Sequence, residues 1–187
     1  MFYWQFGFNP LSYRIEGNAV NRLGNIKVLI LDDHKNMRSL WRAILMGFGV
    51  RSVFEAQDAY EALEVLRSTT VDIIVVDYHL DGLTGAEFVG MLRRGADSPA
   101  PHVSVIACSG DSRPTILKKW INSGADEILA KPVSAEQAWQ KMCMLVNRRR
   151  AFVKAGRYAG PDRRRRASPF MGEKERRVFM PDDCLID

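Results

Sequence analysis

The chain has 187 residues and a mass of 21.2 kDa, enough for one self-sufficient domain with appendages at its ends. A hydrophobic fraction of 47% and a charged fraction of 26% exclude wholesale disorder, and no apolar run approaches the roughly 20 residues of a membrane-spanning helix. The net charge of +5 is concentrated: residues 148–187 carry 12 Lys and Arg against 6 Asp and Glu, while the preceding part is close to neutral, so by composition the body is not a nucleic-acid-binding surface.

The opening Met1–Phe8 is aromatic but lacks the basic flank, continuous apolar core and small-residue cleavage site of a signal peptide. Residues 1–24 therefore read as an extension that docks on a sheet edge, on a partner or loosely on the body. Ile26–Leu31 then reads as a buried strand. Met37, Leu40, Trp41, Ile44, Leu45 and Phe48 recur on one helical face. Val53–Ala56 predicts a short strand, and Ala59, Ala62, Leu63 and Leu66 a second helical face. Val71–Val76, apolar and rich in β-branched residues, is the clearest strand. Gly82 and Gly85 mark a loop before a helix over Ala86–Arg94, and Val103–Cys108 is the next strand. Ser112-Arg113-Pro114 starts a helix, with proline where its missing N–H costs nothing, and Ile116, Leu117, Trp120 and Ile121 follow. Glu127–Ala130 is a fifth strand. Ser134 with Gln137 has the spacing of a capping box for a last helix reaching about Arg149.

Five β-α units in a row predict a parallel sheet covered by helices on both faces. The expected fold is α/β, a flavodoxin-like doubly wound (βα)5 sheet of strand order 2-1-3-4-5. Ligand sites in such sheets lie beyond the carboxyl ends of the strands. The first strand ends in Asp32-Asp33, the third in Asp77, the fourth in Ser109 and the fifth in Lys131; only the second, followed by Gln57 and Asp58, ends without distinctive chemistry. Two carboxylates about 4 Å apart repel by roughly 4 kcal/mol at an effective dielectric of 20, so three together ask for a cation. An all-oxygen donor set points to Mg²⁺ or Mn²⁺. A hard cation beside Lys131 and Ser109 suits a phosphoryl group, with Asp77 as the nucleophile that takes it as an acyl phosphate.

Leu31-Asp32-Asp33, Val76-Asp77 with Asp81-Gly82 and Gly85 after it, Ser109-Gly110, and Gly124-Ala125-Asp126 leading to Lys131-Pro132 together resemble the receiver domain of bacterial two-component response regulators, of the stand-alone type. The resemblance covers residues 25–150. It implies that Asp77 is the phosphoacceptor, that Asp33, Asp77 and the backbone carbonyl of His79 bind Mg²⁺ with Asp32 acting through water, and that Lys131 and Ser109 hold the phosphoryl. It implies further that Ser109 is the switch hydroxyl, that Pro132 follows a cis bond, and that the phosphodonor is a sensor histidine kinase or a histidine phosphotransfer protein. It makes the chain a phosphoacceptor and not an enzyme acting on a separate substrate. One position departs: where the family carries Tyr or Phe, three residues before the lysine, this chain has Ile128, which lacks the ring whose rotation reports phosphorylation. His79 and Asp111, each two residues beyond a site residue, are candidates for tuning the lifetime of the acyl phosphate.

His34, His79 and His102 form no visible nucleophile–base pair. Three widely spaced cysteines fit neither a disulfide framework nor a zinc site, so Cys108 reads as an inert strand residue and the setting as cytoplasmic. Trp41 and Trp120 read as core. A phosphohydrolase of the haloacid-dehalogenase type needs a second acid two residues after its nucleophile, and here that position is His79. A receiver-fold adaptor insensitive to phosphorylation is the alternative that Ile128 suggests. Residues 151–187, with the run Arg163–Arg166, read as a basic flexible tail too short for a standard DNA-binding output domain. Its Gly160-Pro161-Asp162-Arg163-Arg164 string resembles a segment that follows some receivers. No membrane partner is expected, and nucleic acid only through this tail.

Overall fold

A computed structural model describes residues 23–164 and 178–179. Five strands, β1 (Lys27–Leu31), β2 (Ser52–Ala56), β3 (Ile73–Asp77), β4 (Ser104–Ser109) and β5 (Glu127–Ala130), form one sheet. Its order is β2-β1-β3-β4-β5 and every pairing is parallel, the order expected from the sequence. The helices are α1 (Lys35–Gly47), α2 (Ala59–Ser68), α3 (Gly85–Arg94), α4 (Pro114–Ser123) and α5 (Ala135–Asn147). No helix among the described residues is long and apolar enough to cross a membrane.

The strand period of two divides the core. Val28 and Ile30 face α1 and α5, where Trp41, Leu45, Phe48 and Trp139 pack; Leu29 and Leu31 face α2, α3 and α4, with Leu66, Phe88, Leu92 and Trp120. Both predicted core tryptophans, Trp41 and Trp120, are fully buried. Local chemistry sets the helix starts. Asp58 accepts from the Glu61 N–H, Ser134 from that of Gln137, and Thr84 with Glu87 closes a reciprocal capping box. At α4 the cap is Arg113, with Pro114 as the first helical residue.

Residues 152–162 depart from the solvated tail expected there. Strands β6 (Phe152–Ala155) and β7 (Tyr158–Pro161) form an antiparallel hairpin, and β8 (Val178–Phe179) pairs antiparallel with β6 on its other side. Phe152, Val153 and Ala159 are buried. The Phe152 ring meets His102 edge-on at 4.4 Å between centroids and lies 5.5 Å from the Arg93 guanidinium. Gly124, which ends α4 at φ +93, lies against Ala159 and Gly160 so closely that a side chain there would collide with the Ala159 carbonyl. Arg149 donates to the His102 carbonyl, and Arg150 to those of Asp126 and Asp162. Residues 1–22, 165–177 and 180–187 lie outside the described residues, and with them the aromatic opening and half of the arginine run.

Candidate functional site

Parallel register lines up the strand ends. Leu31 pairs with Val76, Asp77 with Cys108, and Ser109 with Ala130, so the residues just beyond share one rim. Asp77 and Asp32 are buried, at 4% and 2% exposure. The Lys131 ammonium lies 2.8 Å from an Asp77 oxygen and 3.2 Å from one of Asp32, joining residues 99 apart in sequence. Lys131 is carried there by its own N–H, which donates to the Ser109 carbonyl at 2.8 Å, and the bond to Pro132 is cis.

The electrostatics follow from burial. Removal from water raises the pKa of Asp32; the neighbouring Asp77 charge raises it further, against the lowering effects of the His34 N–H and Lys131. Burial works against the Lys131 ammonium, but its bond to Asp77 and the charges of Asp77 and Asp32 outweigh that, and its pKa is raised. Burial likewise pushes the Cys108 thiol up, as suits an inert strand residue.

Asp33 is half-buried, and its carboxylate accepts from the His34 ring Nδ1–H at 2.5 Å. Asp32, Asp33 and His34 place ligand-capable atoms within 4.8 Å of one another. Sequence reasoning had not brought His34 into this group. Nor had it found Arg38, which donates to the Asp32 and Asp33 carbonyls at 2.8 and 3.1 Å and so holds the acidic loop over α1. Its signal was its place one turn into the helix that follows the two aspartates.

A hard divalent ion fits this rim. The Asp32 and Asp33 carboxylates place oxygen donors within 4.8 Å of each other, with the buried Asp77 carboxylate on the same rim, and carboxylate oxygens with water completing the shell are what Mg²⁺ takes. Lys131 supplies one positive charge for three carboxylates. The structure does not bring Ser109 into the group: its buried hydroxyl donates to the Asp111 carbonyl at 2.9 Å and accepts the Asp111 N–H at 3.1 Å. Asp111 in turn is bound by Arg113, whose hydrogen bonds hold its carboxyl below the usual range. His79 is exposed, its ring edge-on to Tyr78 at 5.1 Å. Ile128 is half-buried and packs with the α2–α4 side of the core.

Comparison with known proteins agrees with this fold. The family model described as response regulator receiver domain matches residues 28–142. Chemotaxis protein CheY-3 of Vibrio cholerae is 26% identical over 124 residues, 66% of this chain and 94% of that protein. Among solved structures, chemotaxis protein CheY4 of Vibrio cholerae superposes with a TM-score of 0.59 at 26% identity, covering 64% of this chain and 98% of the other. The receiver domain of the Francisella response regulator 1452 gives 0.58 at 26% identity, over 65% and 96%.

Proposed function

The chain belongs to the response regulator receiver domain family, and from that premise we propose that Asp77 is its phosphoacceptor, taking phosphoryl from the phosphohistidine of a partner protein. The observation that carries the reading is the buried Asp77 carboxylate held by Lys131 at 2.8 Å beside a second buried carboxylate, Asp32. An Asp77 oxygen attacks phosphorus, the P–N bond to the donor's imidazole breaks, and that nitrogen leaves with the bonding pair. Lys131, bound to Asp77 beforehand, stands where charge builds on the transferring oxygens and needs no reorganisation to meet it. Asp32, Asp33, Asp77 and the His79 carbonyl would hold Mg²⁺, which when bound supplies charge neutralisation for the incoming group. The Ser109 hydroxyl reaches a phosphoryl oxygen by giving up its turn with Asp111.

Incubation with a small phosphodonor and Mg²⁺ is expected to label the chain at Asp77. Asp77→Asn should abolish labelling, and Asp33→Ala should weaken Mg²⁺ uptake at least tenfold by calorimetric titration. Labelling that persists in Asp77→Asn refutes the assignment. Ile128 favours a second reading, an adaptor whose partner affinity ignores phosphorylation. Equal partner affinity of the phosphorylated and unphosphorylated chain would select it.

A further inference from the structure

Between α4, β5 and α5 lies a groove of about 140 Å³ lined by Ile121, Ile128, Lys141, Arg150, Tyr158 and Arg163. The hairpin supplies Tyr158, and the chain just beyond it Arg163. Ile121 is 43% exposed and Ile128 carries no ring to swing into the space. The charges around the groove are unevenly satisfied. Asp126 is held by Arg93 at 2.9 Å, and Glu127 by Lys141 at 2.6 Å with Arg150 at 4.0 Å. Arg163 stacks on the Tyr158 ring at 4.0 Å and donates to the Asn122 side chain, yet has no carboxylate partner among the described residues. Exposed aliphatic surface beside a guanidinium without a counter-charge fits an acidic segment with an aliphatic anchor.

The chain contains such a segment and delivers it to the right place. In β8, Val178 lies opposite Lys154 and Phe179 opposite Val153, so the chain leaves that strand at the end where β6 begins. Phe152 pairs with Pro161 at this same end, which puts Arg150 and Arg163 beside the exit. From β8 to β7 is two strand spacings, about 10 Å. Residues 180–187, Met-Pro-Asp-Asp-Cys-Leu-Ile-Asp, span roughly 26–29 Å when extended. They carry Asp182, Asp183 and Asp187, no cation, and the pair Leu185-Ile186.

We propose that residues 180–187 dock in this groove, Leu185 and Ile186 against Ile121 and Ile128 and the aspartates facing Arg163, as an internal plug. The docking itself does not depend on phosphorylation. Its consequence, that a partner using this face must displace the plug, rests on the function proposed above.

The full chain can be tested as it stands. Cys108 and Cys143 are buried, and burial pushes the Cys143 thiol up to about 11, so a nitroxide reagent near neutral pH attaches at Cys184. The label is expected to halve, at least, the NMR methyl signals of Ile121 and Ile128. Arg163→Glu should restore them at least twofold, and adding Asp182→Lys with Asp183→Lys should bring the broadening back. Without any label, Asp182→Lys with Asp183→Lys in the otherwise unaltered chain should shift the same two methyl resonances. Unchanged Ile121 and Ile128 signals in both experiments overturn the proposal. So does broadening centred on the cleft between Leu66–Val71 and Pro99–Val103, which would place the segment elsewhere. No phosphodonor is present, so failure here leaves the Asp77 assignment standing, and loss of that assignment leaves this result intact.

Discussion

Arg93 is the cation with the least access to water among the described residues, at 2% exposure, and it is fully used. Its guanidinium donates to the Gly124 carbonyl at 3.1 Å, the Pro101 carbonyl at 2.7 Å and the Asp126 carboxylate at 2.9 Å. The same Asp126 oxygen accepts the Val105 N–H. A buried pair adds little net stability, because desolvation offsets the attraction, but removing one partner strands the other's charge. Arg93→Met is therefore expected to cost about 3–5 kcal/mol in urea unfolding. Arg93→Met with Asp126→Leu should cost clearly less than the sum of the two single changes; additive costs would show that the pair is not coupled. At the rim a single cation serves two buried carboxylates, with Lys131 bound to both Asp32 and Asp77.

At the scale of elements, two glycines with positive φ separate conformational need from close packing. Gly124 has φ +93 and lies against the hairpin, whereas Gly156, in the hairpin turn at φ +59, has open space where a side chain would go. Gly124→Ala should cost about 2 kcal/mol or more, since backbone strain and a collision with the Ala159 carbonyl combine. It should also raise amide hydrogen exchange across residues 152–161. Gly156→Asn should cost under about 1 kcal/mol, because asparagine tolerates that region. Equal costs would mean that the hairpin does not press on α4. The five β-α units were legible because each has a strong period and a cap or turn at its boundary, and the rim followed because strand ends in a parallel sheet must meet. The hairpin was not legible. Its buried hydrophobic residues are Phe152, Val153 and Ala159, too few for a periodic signal, and they pack where Arg93 and Gly124, far upstream, receive them. Ser109 ends β4 at the rim, but sequence carries no information on its rotamer, and the turn with Asp111 claims the hydroxyl.

For the molecule as a whole, the hairpin joins stability to pH through His102. Burial lowers the pKa of this imidazole, and the positive charges of Lys154, Arg149 and Arg93 lower it further, with the Phe152 ring against its edge. Above the unfolded-state value of about 6.5 the ring is neutral in both states and stability does not depend on it. As pH falls below that value the unfolded chain takes the proton first, so stability declines until the lowered folded-state value is passed and then levels off. His102→Gln should flatten this limb in denaturation series taken at successive pH values. An unchanged slope would assign the loss to other groups.

The contact between Phe152 and Arg93 also bears on where this folding unit can be cut. The match to the receiver family model ends at residue 142, which invites truncation at about residue 150. Such a shortened protein would uncover a guanidinium whose surroundings were shaped for an aromatic roof, and would hydrate an ion pair that had been dry. The natural scissor point lies beyond Asp162, whose N–H closes the base of the hairpin on the Ala151 carbonyl at 2.7 Å.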